Sequence, residues 1–477
     1  MNYVEIAVDI PVGPNRTFTY NVPSDMRITT GHMVRVSFSN RPTLGIVFGI
    51  SETATWSSVL DVLEVVSDEV FFTESQLILA KWVSHHYYAS LYHVATAMLP
   101  SGMIPKKNAT LKVGSEVDRR TLDEESLRLV DYIESHANVS KRRLMKEFGR
   151  TSRGVIADLM ANEIVVPHES VLPPRVGPKM QEFISISTAN DYSQMLLEVQ
   201  RSDNQQRVLE LLRKVDTFVS ARFLRARFGA QPIRSLISKG FLLVHHVRSY
   251  RVPAVGLEVP TDGRRILSNE QARAVSGIQK ALREYPKNQK ILLWGIAGSG
   301  KTEVYLRALA ECLDRVRTAI ILVPDISLTA QTVAEVIARF PGQVAVLHSG
   351  LSSGEQFDQW QQIISGEFKI VVGVRSAVFA PLNDLGLIIV DEEQDWIYKQ
   401  SDREPQYHAR DVAVKLAELS GAVLVLGSAT PDVESYYAAQ REEYTLLQMH
   451  RRPDGRIHPA VRTRVVAVSY THLTLPT

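Results

Sequence analysis

Residues 291–302, Ile-Leu-Leu-Trp-Gly-Ile-Ala-Gly-Ser-Gly-Lys-Thr, bring together residue types that bind phosphate. An apolar run enters Gly295, Gly300-Lys301-Thr302 follows, and apolar residues then recur at helical spacing through Val304, Leu306, Leu309 and Leu313. A glycine-rich turn between strand and helix lets backbone N–H groups converge on phosphate oxygens, with the positive end of the helix dipole behind them. Gly295, Gly298, Ser299 and Gly300 would form the cradle, Lys301 would reach the β- and γ-phosphates, and Thr302 would hold Mg²⁺. A glycine-rich turn that binds nothing does not account for the matching flanks. Further along, Leu387-Ile388-Ile389-Val390 runs into Asp391-Glu392-Glu393-Gln394. A strand ending in two adjacent carboxylates can offer Asp391 to Mg²⁺ through water and Glu392 to an attacking water. Gln271 carries an amide able to pair with adenine, and the hydroxyls of Ser428 and Thr430 can bond to the carboxylates.

These groups meet only if the elements carrying them end along one edge. From Leu267 onward short apolar runs at 319–323, 344–347, 369–372, 387–390 and 422–426 alternate with helical spacing, the pattern of a parallel α/β sheet. Ligands of such sheets bind at the carboxyl edge, where each of the loops named above begins.

The rest of the chain reads differently. Its 477 residues suggest three or four domains, and 45% hydrophobic with 22% charged residues is ordinary globular composition. With a net charge of +2, any nucleic-acid surface must be local. The N-terminus alternates like a strand and is not a signal peptide, and no run approaches 18 apolar residues, so no membrane span is expected and the compartment is the cytoplasm. Cys312, the single cysteine, excludes an intrachain disulfide and a cysteine-cluster zinc site. Residues 1–70 read as strands at 4–8, 18–22, 32–38 and 44–50, and residues 74–98 as helix. His85, His86 and His93 lack acids at ligand spacing and read as helix packing.

Between 124 and 247 a pattern occurs twice. Val139-Ser140, Leu144 and Phe148-Gly149 recur as Val219-Ser220, Leu224 and Phe228-Gly229, and Ile156 and Leu159 recur as Ile233 and Leu236. Three helices followed by a strand suit a winged helix. Lys141, Arg142, Arg143, Lys146 and Arg150, then Arg222, Arg225 and Arg227, make the second helix and its turn basic in both copies, as a phosphate-contacting surface or as a solvated face. The expected domains are a β-rich one over 1–105, winged-helix-like modules over 106–175 and 195–250, an ATP-binding lobe over 260–445, and 446–477 as the start of a second lobe or a foreign tail. The fold class is multidomain α/β.

Ala297 to Tyr305, His348-Ser349-Gly350-Leu351-Ser352, Arg375-Ser376-Ala377, Leu385 to Glu393, Tyr398-Lys399-Gln400, Tyr407-His408-Ala409-Arg410-Asp411 and Gly427-Ser428-Ala429-Thr430-Pro431 resemble, in this order, a superfamily 2 helicase and within it the PriA family of bacterial replication-restart helicases. The resemblance implies a RecA-like motor lobe, a winged helix and an N-terminal domain that captures the 3′ end of a nascent strand through Phe18. It implies an ATP- and Mg²⁺-dependent 3′-5′ DNA helicase acting at stalled forks, with forked and single-stranded DNA, primosome proteins and single-strand-binding protein as partners. Arg375, Trp396, Tyr398 and Lys399 would engage DNA, the two aromatics by stacking on bases, and Gln394 with Ser428 and Thr430 would couple DNA to ATP. A second lobe with an arginine finger and a zinc module is implied by the family. Nothing in these 477 residues matches it, so the expectation is nucleotide binding without turnover and no zinc ligands. Gln394 stands where the family has histidine, and Thr19, Ser39 and Asp61 replace its aspartate, glycine and lysine around the 3′-end pocket. A DNA-binding scaffold that recruits primosome proteins is the rival reading, and a restriction-type translocase fits only the motor motifs.

Overall fold

The computed structural model describes residues 3–453 apart from 54–58, 68–69, 101, 115–116, 118, 120–121, 137–138, 150–151, 173–175, 178, 216, 252–265, 285–288 and 326–329. Of the segment 446–477, expected as the start of a second lobe or a foreign tail, residues 454–477 therefore lie outside the described residues. The chain forms two compact units, one of Met1–Glu74, Ser90–Gly256 and Ser349–Gln362, the other of Ser75–Ala89, Leu257–His348 and Ile363–Thr477.

In the first unit, strands β1 (Tyr3–Val8), β2 (Phe18–Asn21), β3 (Met33–Phe38), β4 (Arg41–Ser51) and β5 (Val62–Val65) make an antiparallel sheet in the order β2-β1-β4-β3-β5. Alternation places Val4, Ile6 and Val8 on one face with Tyr20, Val34, Val36, Val47 and Val62. The fifth strand, not foreseen, is only four residues long and carries no repeating pattern of its own. Beside it the Asn21 amide donates to Asp61 Oδ1 at 2.6 Å and the Asn21 N–H to the Leu60 carbonyl at 2.9 Å, which draws the two outer strands together. Helix α1 (Glu74–His86) belongs almost wholly to the second unit, and α2 (Leu91–Met98) to the first. What reads as one helical stretch breaks at Tyr88, which takes a φ of 52°, while the Ser84 hydroxyl donates to the Ala89 carbonyl at 2.7 Å.

The duplicated pattern folds twice. The first copy is β6 (Lys106–Val113), α3 (Glu124–Ser135), α4 (Lys141–Glu147), α5 (Ser152–Ala161) and β7 (Val165–Leu172). The second is β8 (Met180–Ile186), α6 (Tyr192–Glu198), α7 (Asp203–Lys214), β9 (Val219–Ser220), α8 (Ala221–Phe228), α9 (Ala230–Ser238) and β10 (Leu242–Arg248). Leu144, Ile156 and Leu159 are buried in one core and Leu224, Ile233 and Leu236 in the other. Even a backbone contact repeats: Leu111 N–H donates to the Val139 carbonyl at 2.7 Å, and Ile184 pairs with Val219. The opening strands β6 and β8 were not legible in the repeat. The basic side chains of α4 and α8 are exposed.

The second unit is built on α10 (Asn269–Arg283), β11 (Lys290–Gly295), α11 (Lys301–Asp314), β12 (Thr318–Leu322), α12 (Ala330–Arg339), β13 (Val344–Leu347), β14 (Ile370–Gly373), β15 (Leu385–Asp391), α14 (Ala409–Ser420), β16 (Val423–Ser428), α15 (Val433–Gln440) and β17 (Thr445–Met449); α13 (Ser353–Ile364) lies mostly in the first. Seven parallel strands run in the order β13-β14-β12-β15-β16-β11-β17. Unbroken apolar runs such as Ile388-Ile389-Val390 are buried completely, because helices cover both faces. Strand β17 carries the sheet beyond residue 445, the expected edge of the lobe, to Met449.

Phe38 pairs with Arg41, so Ser39 and Asn40 form a two-residue hairpin turn with φ of 49° and 61°. Such turns favour asparagine and glycine, and serine is strained there. Relief of about 1–2 kcal/mol in Ser39→Gly outweighs the roughly 0.4–1 kcal/mol that glycine loses through its freer unfolded chain. Thermal denaturation should show a gain of about 0.5–1 kcal/mol, and a loss would mean the serine hydroxyl holds the turn.

Candidate active site

Three strand ends build the site. β11, β16 and β15 are neighbours, with Trp294 paired to Ser428 and Asp391 to Gly427, so the phosphate loop, the serine loop and the acidic loop leave the sheet side by side. Gly298 and Gly300 have φ of 77° and 81°, and Gly300 caps α11. A Cβ on Gly300 would lie 2.3 Å from the Gln271 amide, which leaves no room for another residue. Lys301 opens α11 in a buried position, donates from Nζ to the Gly295 carbonyl at 3.1 Å and lies 3.5 Å from Glu392 Oε1. The Ser299 hydroxyl is buried with no hydrogen-bond partner among the described residues. An orphaned hydroxyl, a buried lysine and a helix N-terminus in one loop fit a bound phosphate chain.

Gln271 corrects its expectation. It is buried within a capping box, where its Oε1 accepts from Ser268 N–H at 2.9 Å and its Nε2 donates to the carbonyls of Ser299 and Gly300 at 3.1 and 3.4 Å. The amide fastens α10 to the phosphate loop and is not presented to a base.

Asp391 ends β15 nearly buried. Tyr305 of α11 donates to its Oδ1 at 2.9 Å and Tyr398 to its carbonyl at 2.6 Å. Burial raises its carboxyl pKa above the usual carboxylate range and Glu392 adds to the rise, while the Tyr305 hydrogen bond and Lys301 oppose it. A carboxylate held this way gains from a cation, and no group of three His, Cys, Asp or Glu among the described residues is placed to hold one alone. Mg²⁺ in this class is shared between one carboxylate, a hydroxyl and phosphate oxygens, which matches Asp391 and the half-buried Thr302.

Glu392 stands at φ 46°, a left-handed backbone that an acid rarely adopts. From it runs a relay: Gln394 Nε2 donates to Glu392 Oε2 at 3.0 Å, the Ser428 hydroxyl donates to Gln394 Oε1, and Thr430 N–H donates to the Ser428 hydroxyl at 2.9 Å. Ser428 therefore reaches the carboxylate through Gln394 and not directly, and Thr430 takes part through its backbone. Sequence reasoning missed Glu393. It is fully buried and accepts from Arg410 at 3.2 Å, from the Ser435 hydroxyl at 2.9 Å and from Asp432 N–H at 2.8 Å, pinning the loop after β16. The signal was present in the third acid of the run and in Arg410.

The aromatic loop divides its residues. Trp396 is 79% exposed, whereas Tyr398, expected to stack on bases, is 0% exposed with its hydroxyl on the Asp391 carbonyl. That expectation is corrected: Tyr398 is packed beneath the end of β15. Arg375 donates to the Lys399 carbonyl at 3.3 Å and to Asp402 at 3.2 Å, and Lys399 donates to the Gln406 carbonyl at 2.7 Å, so both are tied to this loop beside Trp396. In the first unit Phe18 packs edge-on against Phe38, and Thr19 donates to Glu5 at 2.6 Å.

The raised carboxyl of Asp391 has a testable sign. A folded-state value above the unfolded one favours the protonated form, so the contribution to stability is present below the unfolded value, about 3.9, and is lost as pH rises through the raised folded value. Asp391→Asn should therefore melt higher than the parent at pH 7, since an amide oxygen still accepts from Tyr305. The gap should close towards pH 4, and a gap independent of pH would point to packing instead.

Comparison with known proteins is consistent with this geometry. A PriA 3′ DNA-binding domain (3′BD) family model matches residues 5–100 and a DEAD/DEAH box helicase model matches residues 274–438. The replication restart protein PriA of Bacillus subtilis (strain 168) is 33% identical over 473 residues, 97% of this chain and 57% of that protein. That of Synechocystis sp. (strain ATCC 27184 / PCC 6803 / Kazusa) is 31% identical over 485 residues, 96% of this chain and 56% of that protein. The chain spans a little over half the length of these relatives. Two domain matches in this order, with about a third of the residues shared over nearly the whole chain, place it in the PriA family of replication restart proteins.

Proposed function

We propose that this chain binds ATP with Mg²⁺ at the β11–β15 edge and couples it to DNA, as part of a helicase that moves 3′ to 5′ and restarts replication at stalled forks. The observation that carries the reading is the convergence of Lys301, Asp391 and Glu392 on one sheet edge, with Gln394 and Ser428 linking them to the neighbouring loop. The phosphate loop would hold the β- and γ-phosphates, Lys301 would neutralise their charge, and Thr302 and Asp391 would hold Mg²⁺, which screens the phosphates when bound. Lys301 now faces Glu392; phosphate oxygens would draw the lysine and release Glu392 to orient a water. Because Gln394 is bonded to both Glu392 and Ser428, that release would be felt in the loop carrying Thr430. Trp396, exposed on a 3₁₀ turn, supplies the face for a single-stranded base, with Arg375 and Lys399 nearby for phosphate. Primosome proteins and single-strand-binding protein are proposed partners on the family resemblance alone.

Lys301→Ala should leave the chain folded, with a lower melting temperature, and weaken fluorescent-ATP binding by roughly 1.5–3 kcal/mol, the worth of a charge-assisted bond. Unchanged affinity would favour the scaffold that recruits partners without ATP.

The 3′-end pocket carries the second test. Thr19 is engaged by Glu5, Asp61 by Asn21, and an acid stands where a cation would meet phosphate. Forks with and without a free leading-strand 3′-OH should therefore bind within a few-fold of each other in a fluorescence-anisotropy titration. A preference above about tenfold, ~1.4 kcal/mol, would show that other residues supply the specificity.

A further inference from the structure

We infer that Tyr305 is a positioning residue for Mg²⁺, and that position 427 is glycine to admit its hydroxyl; this rests on the nucleotide reading above. Tyr305 lies one helical turn after Lys301 on α11, so the element that presents lysine to phosphate also presents a phenol to the metal carboxylate. The ring is fully buried, where a hydroxyl is unfavourable without a partner, and its partner is Asp391 Oδ1 at 2.9 Å. A Cβ on Gly427 would fall 1.7 Å from that hydroxyl oxygen and 2.9 Å from the ring carbon bearing it. Gly427 is also the residue paired with Asp391 across β15 and β16, so the hydroxyl reaches the carboxylate over the one position of β16 that lacks a side chain. Fixing Oδ1 sets the rotation of the carboxylate. Tyr398 holds the backbone of the same residue through the Asp391 carbonyl, which leaves the carboxylate itself to Tyr305. Phenylalanine would fill the same space and supply no such hold.

The experiment titrates Mg²⁺ against fluorescent-ATP binding on the full chain, with melting temperatures in parallel. Tyr305→Phe should keep its nucleotide affinity without Mg²⁺ and raise the Mg²⁺ midpoint at least about tenfold, the size of one hydrogen bond to a charged group. Gly427→Ala should raise the midpoint likewise and lower the melting temperature. The double variant should recover part of the melting temperature, since the closest clash is gone while the 2.9 Å contact with the ring stays, and should not recover the midpoint. A parental Mg²⁺ midpoint in Tyr305→Phe overturns the inference while the nucleotide site stands. Should Tyr305→Phe not fold, a parental midpoint in Gly427→Ala overturns it equally. Absence of Mg²⁺-dependent binding in the parent, with Lys301→Ala alike, overturns the nucleotide reading and the inference with it.

Discussion

A carboxylate at the buried end of a central strand is the constraint around which the second unit is arranged. The Asp391 carboxylate is unfavourable where it stands unless a hydroxyl, a lysine or a cation attends it, and α11 supplies the first two while the other neighbours shape the space around it. α11 brings Tyr305 and Lys301, the aromatic loop brings Tyr398, and the β16 end withdraws to a glycine. Exchange of any of these alters the electrostatics at the point where ATP would be held.

The same arrangement explains why the acidic loop is so tightly tied down. Glu392 is kept in a left-handed backbone, and strain of that kind persists only when neighbours over-determine it. Glu393 supplies that determination through Arg410, Ser435 and Asp432, and so links β15 to α14 and α15 without touching the proposed ligand. Of two adjacent glutamates, the first carries the chemistry we propose and the second holds the geometry.

Much of this was legible in residue order. Phosphate loop, acidic strand end and serine loop were each marked by an apolar run stopping at glycine or acid, and the run length required a buried parallel sheet. The duplication was visible because core positions such as Leu144 and Leu224 recur at fixed offset. What failed was the direction in which individual polar side chains turn. Gln271 and Tyr398 have chemistry suited to ligands, yet each finds a closer partner within the chain, Gln271 in a helix cap and Tyr398 in a strand-end carbonyl. Such choices depend on distances across elements far apart in sequence. The short strand β5 and the opening strands β6 and β8 were missed for a related reason, since pairing and not local pattern defines them.

The space between Gly427 and Tyr305 has a consequence for how such a chain can drift by mutation. A hydroxyl oxygen that would stand 1.7 Å from a Cβ sets any side chain at 427 against tyrosine at 305. An alanine or serine at 427 would press on this tyrosine, and the smaller or hydroxyl-free residue at 305 that relieves the closest contact discards the bond to Asp391. Either exchange made first passes through a weaker intermediate, so the two residues are expected to be inherited together.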